Sequence, residues 1–272
     1  MPSVRDSIKD ALEAETITTT NQLDDTNSLS TTDTITASNI KLDANFISTD
    51  NTTPSQNTEG IWVLGYGSLL YKPPPHFTHR VPCRIPGYTR RFWQSSIDHR
   101  GTPDSPGRVA TLVPLSTISN LDGNTSLEHP DGLPAAVYYI PPSHAAEVRA
   151  NLDIREQNGY DLVKVEVHLL PSADHNSELN MLLNELEIDP ITQHHLLLAS
   201  VYVGVPGGEA YIGPEEIIET AKVIATSIGP SGTNYEYLKK MCTSLDEMVR
   251  LTGVGVDPYL IELLDCVETL RK

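Results

Sequence analysis

The order of the predicted secondary-structure elements is the feature that most constrains how this chain can fold. Segments of strand length lie between Ile61 and Val203, and three consecutive helical patterns follow Gly213. Strands followed by helices predict an α+β domain, in which a closed or strongly curved sheet carries helices on its outside. The predicted strands are Ile61–Leu64, Tyr88–Ser95, Arg108–Pro114, Ala135–Ile140, Leu162–Leu169 and Leu196–Val203.

The three late helices are predicted from their first residues and their apolar stripes. The first begins at Pro214, with Glu215 and Glu216 in its first turn, and Gly229-Pro230 ends it. The second begins at about Asn234, and the third begins at Asp257-Pro258, where an N-cap precedes a proline. The stripes predicted to face the core are Ile217, Ala221, Ile224 and Ile228; Leu238, Met241, Leu245 and Met248; and Leu260, Leu263, Leu264 and Val267.

Residues 1–59 are predicted to form a disordered tail, and residues 60–272 the folded domain. Ser, Thr, Asn and Asp dominate the tail, which cannot bury enough apolar area to offset about 1–2 kcal/mol of backbone entropy per residue. A short helix over Val4–Glu15 is compatible with its pattern. The tail is interpreted as a solvated segment, with phosphorylation of its hydroxyls and tail-mediated protein partners as the alternative. Ser116–Leu133 is predicted to be a polar surface loop.

Charge and cysteine content restrict the partners and the compartment. A formal charge of −17 disfavours nucleic acid and anionic membranes as partners, since both would be repelled. It leaves open a small anionic ligand in a locally different pocket. Three widely spaced cysteines do not form a disulfide framework, and neither a transmembrane run nor a signal-peptide pattern is found. We therefore expect a soluble cytoplasmic protein.

The stretch Gly65-Tyr66-Gly67-Ser68-Leu69 ends the first predicted strand. It matches neither a nucleophile elbow, which requires Gly-x-Ser-x-Gly, nor a dinucleotide loop, because Leu70 occupies the position of the third glycine. Successive backbone N–H groups in a glycine-containing turn form an anion site, and a serine adds a hydroxyl donor. The alternative interpretation is a tight turn that only closes the strand.

A second pattern places one carboxylate on an apolar helix face. Pro141-Pro142-Ser143 begins a helix that is predicted to run to Gln157 and stop at Asn158-Gly159. At about 100° per residue, Glu156 shares the sector of Ala145, Val148 and Leu152. Burial and the negative end of the helix dipole would raise its pKa, which suits a general base. An ion pair between Glu156 and Arg149 or Arg155 is the equally weighted alternative.

The other charged and histidine-containing segments do not predict a catalytic centre. His76, His79, His194 and His195 lack a metal-site spacing with supporting ligands, so no metal site is predicted. A basic patch runs from Arg90-Arg91 to His99-Arg100. It is interpreted either as a solvated strand edge or as a site for a substrate carboxylate.

Five segments together resemble the ChaC family of γ-glutamylcyclotransferases, which act on glutathione. The resemblance covers most of the chain from Ile61 to about Leu270, in the family's order. It is highly specific as a combination, although no single segment would be. The segments are WVLGYGSLLYK, GYTRRFWQSSIDHRGTPDSPGRVATLV, LDIREQNGY, YIGP and GPSGTNYEYL.

The resemblance implies a compact β-barrel with flanking helices and a pocket for the γ-glutamyl group. It implies that glutathione is converted to 5-oxoproline and cysteinylglycine without a cofactor or metal, with Glu156 as the catalytic acid/base. The substrate-binding residues that it implies are Tyr66, Gly67, Ser68, Leu69, Arg91 and Tyr160. Two alternatives stay open: a cyclotransferase for other γ-glutamyl compounds, and a non-catalytic γ-glutamyl-binding sensor or scaffold.

Overall fold

The computed structural model describes residues 59–121, 129, 131–155, 159–171, 177–254 and 257–272 of the 272-residue chain. The tail predicted over residues 1–59, including the short helix over Val4–Glu15, lies outside the described residues except for Glu59. The predicted division into a tail and a folded domain therefore stays a prediction.

Nine strands form the sheets of the described part of the chain. They are β1 (Ile61–Gly65), β2 (His79–Ile85), β3 (Tyr88–Ser96), β4 (Gly107–Pro114), β5 (Leu133–Ile140), β6 (Tyr160–Leu169), β7 (Leu196–Gly204), β8 (Ile228–Gly229) and β9 (Gly232–Thr233). Five of them close into a barrel in the order β1-β5-β2-β6-β7, and β7 pairs with β1 in parallel at Val63 and Ser200. The strands β3 and β4 form a separate antiparallel ribbon, and β8 and β9 form a short hairpin. A closed sheet with helices confirms the predicted α+β class.

Six α-helices accompany these strands in the described residues. They are α1 (Leu115–Leu121), α2 (Pro142–Arg155), α3 (Ser177–Leu183), α4 (Ile217–Thr226), α5 (Asn234–Thr252) and α6 (Pro258–Leu270). The helices α4, α5 and α6 pack on one another, and α4 and α5 also contact β4. The helix α5 reaches the short 3-10 turn Ser68–Leu70 that follows β1, and so brings C-terminal residues to the end of the first strand.

The core contains most of the apolar residues predicted to face it. The alternating residues Val163, Val165, Val167 and Leu169 of β6 are all buried. The predicted stripe of α5 is also buried, as are Leu260, Leu263 and Val267 of α6, whereas Leu264 is only half-buried. Asp257 caps α6, as predicted, by accepting a hydrogen bond from the Leu260 N–H at 3.3 Å.

The strand β2 was not predicted, because Pro82 interrupts its pattern and lacks the N–H that a central strand requires. The structure accommodates this proline at the end of the β2–β6 ladder, whose pairs are Cys83 with Leu169 and Arg84 with His168. The Pro82 carbonyl accepts a hydrogen bond from Leu170 N–H at 2.9 Å. The predicted loop Ser116–Leu133 was also partly wrong, since α1 occupies its first residues.

The predicted bounds of α4 were wrong at both ends. The helix begins at Ile217 instead of Pro214, because the Glu215 carboxylate accepts two hydrogen bonds from Arg108, at 2.8 and 2.9 Å, which fix this segment outside the helix. It ends at Thr226, so Ile228 lies in the β8–β9 hairpin and is exposed.

Within the described ranges, none of the helices has both the length and the apolar character needed to cross a membrane.

Candidate active site

The turn after β1 is held in place by two buried side chains. Arg90 Nε donates to the Tyr66 carbonyl at 2.7 Å, and Tyr138 Oη donates to the Leu69 carbonyl at 2.7 Å. Burial raises the pKa of Tyr138, which keeps its phenol protonated and able to donate. Because C=O and N–H point in opposite directions across a trans peptide, the bond from Arg90 directs the Gly67 N–H away from Arg90. The turn is therefore positioned by its carbonyls.

Arg90 belongs to a buried ion pair that connects this turn to α6. Its guanidinium is fully buried and bonds the Asp257 carboxylate, and Nη2 also donates to the Pro134 carbonyl at 2.9 Å. Burial alone would raise the pKa of Asp257, but the Arg90 guanidinium, together with His129 at 3.6 Å, holds this pKa below its ordinary value. The carboxylate thus stays charged and holds the guanidinium within hydrogen-bonding distance of the Tyr66 carbonyl.

A small cavity of about 50 Å³ opens beside the turn. Four tyrosines contribute to its wall, so that it is aromatic with several hydroxyl groups. Its volume admits only the end of a small molecule, since a single water occupies about 30 Å³ in the liquid. The residues that line it are Leu64, Tyr66, Gly67, Ser68, Leu69, Ala110, Tyr160, Tyr202 and Tyr237.

Hydrogen bonds to the backbone fix the tyrosines of the small cavity. Ala110 of β4 lies between two of them: its N–H donates to Tyr237 Oη at 3.2 Å, and its carbonyl accepts from Tyr160 Oη at 3.2 Å. Tyr66 Oη donates to the Tyr202 carbonyl at 2.8 Å. These bonds join the barrel, the β3–β4 ribbon and α5 around one small space.

A large cavity of about 530 Å³ adjoins the small one, with which it shares Ser68, Tyr160 and Tyr237. Its size falls within the range of about 300–1,000 Å³ that is usual for small-molecule sites. The side chains of Lys72, His99 and Arg100 line it, as do those of the acidic residues Asp98 and Glu209. Lys72 and Arg100 balance these two carboxylates, so the cavity is less negative than the chain as a whole, whose charge is −17, and it presents cationic groups to an anionic ligand.

Arg100 is the best-fixed cation of the large cavity. It is buried, and its Nη1 donates to the Thr233 carbonyl at 3.1 Å while Nη2 donates to Tyr71 Oη at 3.3 Å. Its guanidinium also lies 5.6 Å from the centre of the Tyr237 ring, and Glu236 lies 3.5 Å from Nη1. A guanidinium held in one orientation by several contacts is well suited to bind a carboxylate with defined geometry.

Of the seven residues predicted for the site, five lie together, Arg91 lies apart from them, and Glu156 is outside the described residues. Tyr66, Gly67, Ser68, Leu69 and Tyr160 all line the small cavity. Arg91, by contrast, lines neither cavity. Its guanidinium lies 4.5 Å from the centre of the Tyr259 ring and donates to Thr89 Oγ1 at 2.8 Å. The geometry thus gives no support to Arg91 as a substrate ligand, and that assignment stays a prediction.

Glu156 lies outside the described residues, so its role as acid/base also stays a prediction. The described residues on both sides of it approach the site. In the preceding helix α2, the predicted stripe of Ala145, Val148 and Leu152 is buried. Further along α2, Asp153 Oδ1 accepts a hydrogen bond from the phenol of Tyr202 at 2.5 Å.

Gly159, three residues after Glu156, lines the large cavity and is tightly enclosed. Its carbonyl accepts from Gln94 Nε2 at 3.0 Å, and Gln94 is fully buried. A Cβ at Gly159 would lie 2.8 Å from Gln94 Nε2 and 2.9 Å from the Ala210 Cβ, and φ is +89°. Both the space and the backbone conformation therefore require glycine here.

Sequence reasoning missed Tyr202 and Tyr237, which line the small cavity, and Tyr71 and Lys72, which line the large one. Tyr237 lies within the GPSGTNYEYL segment, so the resemblance marked its neighbourhood without assigning it a role. No motif marks Tyr202. The alternation of its strand is common to half-buried strands in general and does not identify a residue that lines a cavity.

Comparison with known proteins finds similar chains over most of this sequence. The glutathione-specific gamma-glutamylcyclotransferase of Saccharomyces cerevisiae is 49% identical over 231 residues, which cover 80% of this chain and 100% of that protein. The protein of the same name from Schizosaccharomyces pombe is 37% identical over 203 residues, covering 75% and 90%. A crystal structure of the yeast gamma-glutamylcyclotransferase specific to glutathione superimposes with a TM-score of 0.72 at 49% identity, covering 78% of this chain and 97% of that one.

A family model described as ChaC-like protein matches residues 61–270, a range that contains the barrel, both cavities and the C-terminal helices. The match and the identities extend over the whole described fold and are not confined to one motif. The chain therefore belongs to the ChaC-like family.

Proposed function

We propose that this chain is a glutathione-specific γ-glutamylcyclotransferase, which converts glutathione to 5-oxoproline and cysteinylglycine. The observation that carries the proposal is the pair of adjoining cavities. A small cavity is walled by the Tyr66–Leu69 turn and by hydroxyl groups, and it adjoins a large cavity lined by basic side chains. The small cavity suits the α-carboxylate end of the γ-glutamyl group, and the large cavity offers room and cationic side chains for the rest of glutathione with its terminal carboxylate. The relatives of that name in two yeasts support the same substrate.

The reaction rearranges bonds within one substrate molecule. The α-amine nitrogen of the γ-glutamyl group bonds to its own γ-carbonyl carbon and closes a five-membered ring. The bond from that carbon to the cysteine nitrogen breaks, and the proton lost by the amine is balanced by one gained by the departing nitrogen. Water is not consumed, and the products are one 5-oxoproline and one cysteinylglycine.

The turn after β1 supplies the orientation that this cyclisation needs. Gly67 lines the small cavity with its N–H directed away from Arg90, and Ser68 adds a hydroxyl beside it. We assign the α-carboxylate of the substrate to these donors, which would hold the amine close to the carbonyl. Correct orientation of intramolecular partners is worth up to about 7–11 kcal/mol of the barrier.

Glu156 is assigned the proton transfer. The α-amine is mostly protonated at neutral pH, because its ordinary pKa is about 7.7–8.0, so a base must remove a proton before it can attack. The same carboxyl group then protonates the departing nitrogen. The assignment is supported by the buried stripe of α2, which comes before Glu156 in the sequence, and by the hydrogen bond that anchors Gly159 to Gln94.

The large cavity is assigned to the cysteinylglycine half of glutathione. Arg100 provides the most rigid cation for the terminal carboxylate, and Lys72 and His99 add further hydrogen-bond donors in the same cavity. This assignment replaces Arg91, which lines neither cavity, and agrees with the predicted basic patch only at His99-Arg100.

We propose the cytoplasm as the location, because Cys83, Cys242 and Cys266 are all unpaired thiols, as is usual in a reducing compartment.

The experiment that tests the function is a product assay on the purified full-length chain with three substrates: glutathione, oxidised glutathione and γ-glutamyl-alanine. Equal amounts of 5-oxoproline and cysteinylglycine from glutathione, at a kcat/KM above that for γ-glutamyl-alanine, support the proposal. Faster turnover of γ-glutamyl-alanine would assign the protein to other γ-glutamyl compounds. Binding of glutathione without products would indicate a sensor.

A further inference from the structure

Three side chains form a second cluster that lines neither of the two cavities. His76 lies in the connection between β1 and β2, and His144 and Glu147 lie one turn apart in the first half of α2. These three residues are called the His–His–Glu cluster. Sequence reasoning found no metal spacing at His76, because 68 positions separate it from His144.

Both histidines approach the same carboxylate. His76 Nε2 lies 3.4 Å from Glu147 Oε1, and His144 Nδ1 lies 3.4 Å from Glu147 Oε2. The imidazole rings stack with their centres 4.0 Å apart and their planes 3° from parallel. One nitrogen from each ring and one carboxylate oxygen all lie within 4.8 Å of one another.

We propose that the His–His–Glu cluster binds a divalent transition-metal ion, for which Zn²⁺ is the best match. Two imidazole nitrogens and one carboxylate oxygen are a known zinc donor set, which leaves the fourth tetrahedral position for water. Imidazole ligands disfavour Mg²⁺ and Ca²⁺, which take oxygen ligands. The proposed ligand atoms are His76 Nε2, His144 Nδ1 and one oxygen of Glu147.

The rearrangement required for binding is small and sterically open. Zinc bonds of about 2.0–2.2 Å place tetrahedral ligand atoms roughly 3.3 Å apart, so atoms now within 4.8 Å must move closer by up to about 1.5 Å. The rings must also tilt away from parallel, because each nitrogen lone pair lies in its ring plane. The side chains of His76, His144 and Glu147 are 40%, 39% and 56% exposed, which leaves space for this rotation.

The loop that carries His76 is already restricted. Pro73-Pro74-Pro75 precedes it and fixes three successive φ angles. His76 itself has φ of +59°, a conformation that few residues other than glycine adopt. The approach of His76 to α2 is thus determined by the backbone, and this loop would lose less conformational freedom on binding a metal ion than a flexible loop would.

The proposed ion would join two segments that lead to the reaction cavities. The connection between β1 and β2 begins with Tyr71 and Lys72, which line the large cavity. The helix α2 runs from His144 and Glu147 towards its last turn, where Asp153 bonds Tyr202 of the small cavity. A bound ion should therefore stabilise the folded protein against unfolding. This inference does not depend on the proposed function.

The test is zinc binding to the metal-free full-length chain, measured by titration calorimetry with ZnCl₂ at neutral pH. The variants are His144→Ala, Glu147→Gln and His76→Asn, the last because asparagine tolerates the positive φ. Each removes one ligand atom and should weaken zinc binding by at least about tenfold. Even the loss of a residue that only hydrogen-bonds a metal ligand weakens metal binding by about tenfold or more. His194→Ala is the matched control, and it should bind zinc as the wild type does.

Thermal unfolding with and without ZnCl₂ gives an independent readout. The wild type and His194→Ala should gain Tm with zinc, and the three cluster variants should gain less, although all should fold equally well without metal. The proposal is overturned if the wild type binds no zinc, or if zinc binding and its effect on Tm survive unchanged in the cluster variants.

Discussion

Replacement of Asp257 by asparagine isolates the charge of the buried ion pair that supports the substrate turn. Asn is as good an N-cap as Asp, so the capping of α6 should survive the change. What is lost is the negative charge facing Arg90, whose guanidinium is fully buried and cannot turn to solvent. The guanidinium then stays charged in the interior without its partner.

The expected loss of stability follows from this burial. Removing one partner of a buried ion pair costs about 3–5 kcal/mol. In a domain of this size each 1 kcal/mol corresponds to about 2–4 °C, so Tm should fall by about 6–20 °C. The KM for glutathione should also rise, because Arg90 donates to the Tyr66 carbonyl and a displaced guanidinium would loosen the turn.

Circular dichroism during heating and initial-rate kinetics measure the two effects on the purified full-length chain. Asp246→Asn is the matched control: it is the same substitution at an exposed position of α5, where the change should stay within about 0.5 kcal/mol. If the Tm of Asp257→Asn lies within about 2 °C of the wild-type Tm, the buried ion pair does not contribute the stability assigned to it.

The pH dependence of the same variant provides a further check. The pKa of Asp257 is lowered in the folded state, so its contribution to stability is present above the ordinary pKa of 3.8 and is lost as pH falls through the lowered value. The difference in Tm between wild type and Asp257→Asn should therefore shrink in acid. A difference that stays constant down to the acid transition would contradict this explanation.

Three further substitutions test the site itself. Glu156→Gln should fold with an unchanged Tm and lose 5-oxoproline production, because the amide keeps the shape without the basicity; wild-type kcat in this variant would remove Glu156 from the mechanism. Gly67→Val should lower kcat/KM about fivefold or more, since a Cβ added there would lie 3.2 Å from Tyr237 Oη and overpacking costs about 1–3 kcal/mol; unchanged kinetics would mean that the turn is only structural. Arg100→Met should raise the KM for glutathione about tenfold or more, because a hydrogen bond to a charged group contributes about 1.5–3 kcal/mol; an unchanged KM would place the terminal carboxylate elsewhere.

Local patterns were sufficient for most of the fold. The alternation in β6 and the N-cap at Asp257 are signals that lie within a few residues, and the structure confirms both. The start of α4 was wrong because Glu215 is held by Arg108, which lies 107 positions away. The strand β2 was missed because a proline within a segment disfavours a central strand. Only the structure shows that Pro82 lies at the end of the β2–β6 ladder, where its missing N–H is tolerated.

The site was predictable only where one continuous segment forms it. The Tyr66–Leu69 turn carries its own signal, and the resemblance added Tyr160. Arg90 and Asp257 are 167 positions apart, and no spacing rule could pair them. Arg91 was predicted as a ligand and Arg100 was not, because the sequence does not show which arginines of the basic patch face a cavity. The fold packs Arg91 against Tyr259 and leaves Arg100 on the large cavity.

Isotope labelling tests most directly whether the γ-glutamyl group cyclises by attack of its own amine and not by attack of water. Glutathione is incubated with the purified chain in water enriched in heavy oxygen, and the products are analysed by mass spectrometry. The proposed reaction predicts unlabelled 5-oxoproline as the γ-glutamyl product, in the same amount as cysteinylglycine. Labelled glutamate, or 5-oxoproline that carries heavy oxygen, would contradict it, because either product requires attack by water.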